Sequence, residues 1–150
     1  MDIKLAWDAS NAVGDWQFAK GDLVAGTGIE DLETAVLVSL FTDKLAPPDF
    51  RLTDGSQDRR GWWASSYDTT ALGSWLWLLE RAKISDRNAI LLRAKDYCQD
   101  SLQWLLDLGI ADTVGVRTFW LASEALGIEL TITQPSQSKS ISLTYQWAWY

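Results

Sequence analysis

Hydrophobic positions recur along this chain with two different periods, and the change of period divides it into three stretches. Near the N-terminus the period is two. Ile3, Leu5 and Trp7 alternate with Lys4 and Ala6, and Trp16 and Phe18 resume the pattern before a turn at Lys20-Gly21-Asp22 and the pair Leu23 and Val24. Such alternation predicts strands with one face on a core. Gly26 and Gly28 then interrupt it. From Ile29 to Phe41 the spacing is helical, with Ile29, Leu32, Val36 and Leu40 on one face. Glu30, Asp31 and Glu33 crowd the first turn, where carboxylates meet the positive end of the helix dipole. Beyond Val36 the segment is apolar nearly all round, which predicts a buried second half.

Residues 43–70 read as a loop broken by Pro47-Pro48, Asp54-Gly55 and Gly61. A loop of this length inside a compact domain is usually functional. A short helix is predicted over 74–83, where Trp75, Leu76, Trp77, Leu78 and Leu79 make every face apolar and demand cover from the domain or a partner. Ser85 is placed to cap a longer helix over 86–108, with Leu91, Ala94, Cys98, Leu102 and Leu105 as its stripe and Gly109 as a left-handed C-cap. Period two then returns. Val114, Val116 and Thr118 define one strand and Ile128, Leu130 and Ile132 a second. Ile141, Leu143, Tyr145 and Trp147 define a third, reached across the polar turn 134–139. Each has one apolar and one polar or Ser/Thr face, the pattern of an antiparallel sheet covered by helices from one side. The predicted class is α+β: N-terminal strands, a three-helix layer and a C-terminal antiparallel sheet, all in one domain spanning 1–150.

Composition narrows the function. The 150 residues are 47% hydrophobic and 22% charged, a globular balance. A net charge of −7 disfavours phosphate backbones and anionic leaflets, so neither nucleic acid nor a membrane surface is an expected partner. No stretch approaches the length of a membrane span, and Met1-Asp2-Ile3-Lys4-Leu5 has no features of a signal peptide, so the chain is expected to remain in the cytoplasm where it is made. Cys98, the single cysteine, falls on the apolar side of a helix and reads as a buried, inert thiol. Ten tryptophans are far more than usual; each fills the core or serves as contact surface.

Chemistry is sparse. The absence of histidine removes the commonest general base and most zinc and iron sites. Gly26-Thr27-Gly28 is a fragment of a phosphate loop without its third glycine. Asp54, Ser56 and Asp58 alternate like calcium ligands but lack a closing glutamate and run into Arg59-Arg60. No cofactor and no small-molecule ligand is expected. Glu80, with Asp54 or Asp58, could form a carboxylate pair for glycoside hydrolysis, although an ion pair with a nearby arginine accounts for Glu80 as simply. Asp58-Arg59-Arg60-Gly61-Trp62-Trp63 has the composition of an interface hot spot, or of a loop folded back to plug the helix layer.

The landmarks also occur in a known order. Glu33-Thr34-Ala35-Val36-Leu37-Val38-Ser39-Leu40-Phe41-Thr42-Asp43 leads to Asp58-Arg59-Arg60-Gly61-Trp62-Trp63. Then come Gly73-Ser74-Trp75-Leu76-Trp77-Leu78-Leu79-Glu80-Arg81-Ala82-Lys83, Ala94-Lys95-Asp96-Tyr97 and Leu102-Gln103-Trp104-Leu105. Over nearly its whole length the chain resembles the phage Mu gene 46 protein family, small baseplate proteins of contractile-tailed phages and prophages. Trp75 departs from the pattern, standing where a basic residue is expected. The resemblance implies a wedge component of the virion tail baseplate, assembled in the bacterial host cytoplasm, and the lack of histidine and of a convincing acid pair speaks against an enzyme. It would dock larger wedge proteins and start the tail sheath from a strand edge. Asp58, Arg59, Arg60, Trp62, Trp63 and Trp75 are the expected partner contacts or their framework. Ile141, Leu143 and Tyr145 mark the expected edge strand, which carries no Lys or Pro to guard it. The alternatives are a baseplate-associated peptidoglycan hydrolase, or a carbohydrate-binding module built on a row of coplanar exposed rings.

Overall fold

The computed structural model describes residues 4–8, 10–11, 13–19, 22–23, 29–51, 55–67, 72–81, 86–123, 125–135 and 140–148. Ile3, Val24, the Gly26-Thr27-Gly28 fragment, Asp54, Ala82, Lys83 and Ser85 lie outside them. Strand β1 (Leu5–Asp8) pairs antiparallel with β2 (Val13–Trp16), and β3 (Phe18–Ala19) with β4 (Asp22–Leu23). Helix α1 (Ile29–Phe41) spans the predicted residues. The chain then runs irregularly through a 3-10 turn at Trp63–Ser66 to α2 (Leu76–Glu80) and α3 (Arg87–Asp107). Strands β5 (Thr113–Ala122), β6 (Ala125–Thr133) and β7 (Ser140–Ala148) form an antiparallel sheet in that order. The α+β reading holds: strands first, three helices, then a sheet.

The second helix is shorter than the predicted 74–83, starting at Leu76 and ending at Glu80. Ser74 is occupied before the helix starts: its N–H donates to Thr42 O at 2.9 Å and its carbonyl accepts from Lys44 N at 3.0 Å. Its hydroxyl donates to Leu40 O and accepts from Leu76 N. Ser74 therefore caps α2 while pinning it to the end of α1. The long helix is capped by Asp86, whose Oδ1 accepts from Asn88 N at 2.9 Å, so the cap sits one residue later than Ser85. Its C-terminal glycine behaves as expected. Gly109 has φ 66°, and Ile110 and Ala111 both donate to Leu105 O.

The core lies between the helices and one face of the sheet. Leu32, Val36 and Leu40 of α1, Leu76 and Leu79 of α2, and Ala94, Cys98, Leu102 and Leu105 of α3 meet Leu126, Ile128, Leu130 and Ile132 of β6. Each fully buried leucine or isoleucine contributes roughly 1.5–3 kcal/mol. The all-round apolar character of α2 is explained by two covers: Leu76 and Leu79 face this core, while Trp77 and Leu78 pack with Ala46 and Trp75 in a second cluster. Burial pushes the Cys98 thiol up to about 12, consistent with an inert group.

On the other face of the sheet Phe119 lies across Gly127, where a Cβ would approach the ring to 2.5 Å. Arg117 stacks on Phe119 at 4.8 Å and pairs with Glu129 at 2.7 Å. The predicted strands β5 and β6 were too short at their joined ends. Trp120–Ala122 and Ala125–Gly127 break the apolar alternation, yet they pair as the tight end of the hairpin.

Candidate partner-binding surfaces

The residues singled out in the sequence fall in two places. The first is built around the extended segment 44–46. Its three successive carbonyls accept from three side chains: Lys44 O from Trp77 Nε1 at 2.9 Å, Leu45 O from Trp75 Nε1 at 3.1 Å, and Ala46 O from Arg59 Nε at 2.8 Å. Arg59 Nη2 donates to the same Ala46 oxygen, and Ala46 N donates back to Arg59 O. Arg59 and Trp75 thus act as staples, each half-buried. Trp75 also receives Lys44 over its ring at 4.7 Å and meets Tyr97 edge-on.

Asp58 and Arg60 shape the turn. Asp58 Oδ1 accepts from Arg60 N at 2.9 Å, holding Arg60 at φ 47° and Gly61 at φ 103°. Only glycine suits position 61, because a Cβ there would press on Leu45 at 3.0 Å. Arg60 pairs with Asp43 at 3.1 Å and lies 5.2 Å over Trp77. This framework projects Trp62 and Trp63 outward. Trp63 is 76% exposed, and Tyr67, one turn on and not anticipated from the sequence, is 86% exposed. The clue was available: three aromatics crowd into six residues with no apolar periodicity to bury them. The rings are tilted by 56° and 72° to one another, so they form a contact ridge and not the coplanar platform a sugar-binding row requires.

The second place is the margin of the sheet. β7 has one strand neighbour, β6, among the described residues. Tyr145 is 5% exposed, its ring turned into the core, and Leu143 is half-buried on the same face; Ile141 shares that register position. The Leu143 and Tyr145 side chains therefore seat the strand against the core. What the edge presents is backbone. Gln146 O accepts from Trp7 Nε1 at 2.9 Å, which shows this carbonyl pointing away from β6. Alternation then turns the N–H and C=O groups of Ser142 and Thr144 the same way. Trp7 covers one end of the margin, and no strand other than β6 pairs with β7 among the described residues.

Of the carboxylates of the hydrolase alternative, Asp54 lies outside the described residues and Asp58 is engaged by the Arg60 amide. Glu80 is exposed and lines a small hollow with Asp43 and Arg60, but the guanidinium pairs with Asp43. The expected ion pair of Glu80 is not formed among the described residues; Arg60 and Arg81 both lie over Trp77 instead. Ser56 accepts from Arg81 Nη1 and Asp58 from the Arg60 amide, so two of the three suggested calcium ligands have internal partners, and Asp54 lies outside the described residues. No group of three metal-ligating side chains occurs among the described residues.

Known sequences match this framework. Residues 32–139, from α1 through β6, fit the family described as Phage protein GP46. The Baseplate protein gp46 of Escherichia phage Mu is 39% identical over 128 residues, which span 82% of this chain and 86% of that protein. The Mu-like prophage FluMu protein gp46 of Haemophilus influenzae is 36% identical over 128 residues, with the same coverage. The match takes in the 44–46 staples, the exposed aromatic turn and the strand on which β7 is laid: the chain belongs to the Phage protein GP46 family.

Proposed function

We propose that this chain is a structural subunit of a contractile phage or prophage tail baseplate, which docks larger wedge proteins and offers its β7 edge to the tail sheath protein. The phage Mu relative named for the baseplate supports the location, the virion tail, and assembly belongs to the host cytoplasm on this reading. Trp62 and Trp63, presented by Asp58, Arg59, Arg60 and Trp75, supply an aromatic ridge of the kind that dominates protein interfaces. The observation that carries the sheath role is the margin of β7. It is nine residues long, free of Lys and Pro, and paired on one side among the described residues. Edges of soluble sheets are normally guarded, and an incoming strand satisfies such a row of backbone groups in register.

The test is complementation of a prophage lacking this gene. The variant Ser142→Pro with Thr144→Pro removes two outward N–H groups and leaves the β6 ladder intact. It is expected to melt within a few degrees of the parent chain and to co-purify with the neighbouring tail proteins. Electron micrographs should then show baseplates without sheath. Sheathed tails at parental frequency would sink the strand-addition reading, and failure of the parent chain to co-purify with tail proteins would sink the baseplate reading itself.

A further inference from the structure

Between α1 and α3 runs an open groove of about 540 Å³. Ala35 and Val38 of α1 and Trp104 and Leu108 of α3 give it apolar walls, and Leu108 is 70% exposed. The hydroxyls at its floor are already used. Thr34 Oγ1 accepts from Leu5 N, Ser39 Oγ donates to Ala35 O and accepts from Trp104 Nε1, and Ser101 Oγ donates to Cys98 O. The floor therefore presents apolar surface to an occupant. Charge is confined to Asp100 and Asp107, with Gln103 held against Asp107 at 3.0 Å, and no Lys or Arg lines the groove among the described residues.

We infer that this groove docks a basic amphipathic helix from another protein. The occupant is cationic because the charged side chains that line the groove among the described residues, Asp100 and Asp107, are both anionic. It belongs to another protein because a second copy of a chain carrying −7 would be repelled from an acidic cleft. It is a helix because, Leu72 and Gly73 apart, the lining comes from α1 and the α3 end, whose helical backbone groups are used internally. An extended segment would find no ladder there, whereas a helix brings its own hydrogen bonds and lays apolar side chains at i, i+3, i+4 and i+7 into the cleft. The surface is separate from β7 and from the Trp62–Trp63 ridge, and the inference goes beyond the baseplate reading.

The probe is a fluorescein-labelled helical peptide of about 18 residues, roughly five turns, with Leu at the helical spacing and Lys elsewhere, followed by anisotropy on the full chain. Asp100→Lys with Asp107→Lys, and separately Ala35→Trp to fill the cleft, are expected to weaken binding by about tenfold or more. Asp49→Lys with Asp112→Lys, the same charge change at exposed positions outside the groove, is expected to stay within about twofold. Circular dichroism and melting verify that each variant folds. The inference is overturned if the parent chain does not bind, or if the control weakens binding as much as the groove variants. It is equally overturned if groove variants bind normally, or if sedimentation shows the parent chain to be a dimer that Ala35→Trp dissociates.

Discussion

Two aromatic trios in this protein use the same chemistry to opposite ends. Trp7 stacks on Phe41 at 4.0 Å, and Tyr145 meets both edge-on at 6.0 and 5.6 Å. These rings come from β1, the end of α1 and β7, and each is covered by elements distant in sequence. Trp62, Trp63 and Tyr67 sit at similar separations, 5.9 and 6.4 Å, but belong to a single turn. Among the described residues nothing arrives from elsewhere to bury them, and all three are exposed. Aromatics gathered from remote segments close the body, while aromatics gathered locally are displayed on it. The first trio is expected to govern stability and the second to govern association.

The hardest test of that contrast is Tyr145→Ala. Emptying the buried position is expected to cost about 3–5 kcal/mol, read as a shift in the urea midpoint; a loss of only a few tenths would erase the distinction between the trios. A smaller effect sharpens the claim that Tyr145 and the core around it are sealed. Burial pushes the Tyr145 phenol upward, with Glu33 adding to the shift, and pushes the Cys98 thiol from 9.0 to about 12. Both groups hold their protons more tightly in the folded chain. The stability this represents is complete below about pH 9 and declines as pH rises through the folded values, at up to about 1.4 kcal/mol per pH unit for each group. Tyr145→Phe should flatten the decline above pH 10 and Cys98→Ala the decline between pH 9 and 12, in urea titrations at stepped pH. Unchanged slopes would mean that water reaches both groups in the native state. The smallest expected effect is in the outer trio. Trp63→Ala with Tyr67→Ala should move stability by no more than about 0.5 kcal/mol yet abolish co-purification with the larger wedge proteins. A large loss of stability would show that the ridge belongs to the fold.

Much of the architecture was legible because it is periodic. The bounds of α1, the long helix ending at Gly109, and β7 follow from where apolar residues recur and where a cap or turn interrupts them. The legible part of the candidate sites was their location: the Arg-Arg-Gly-Trp-Trp segment and the last strand. The roles within them were not. Arg59 and Trp75 have interface composition but hold the backbone of 44–46, and Tyr145 marks the edge strand while facing inward. Tyr67, the Trp7 cover on Gln146 and the cleft between α1 and α3 left no periodic signal at all.

The sequence by itself determined the elements, their order and the face each one buries, because period, caps and breakers act over a few residues. Which tryptophan is stapled and which displayed was decided only in the tertiary structure. That choice depends on whether a carbonyl or a ring from a remote segment arrives to meet it, and such a meeting is set by how α1, the 44–46 segment and β7 converge in space.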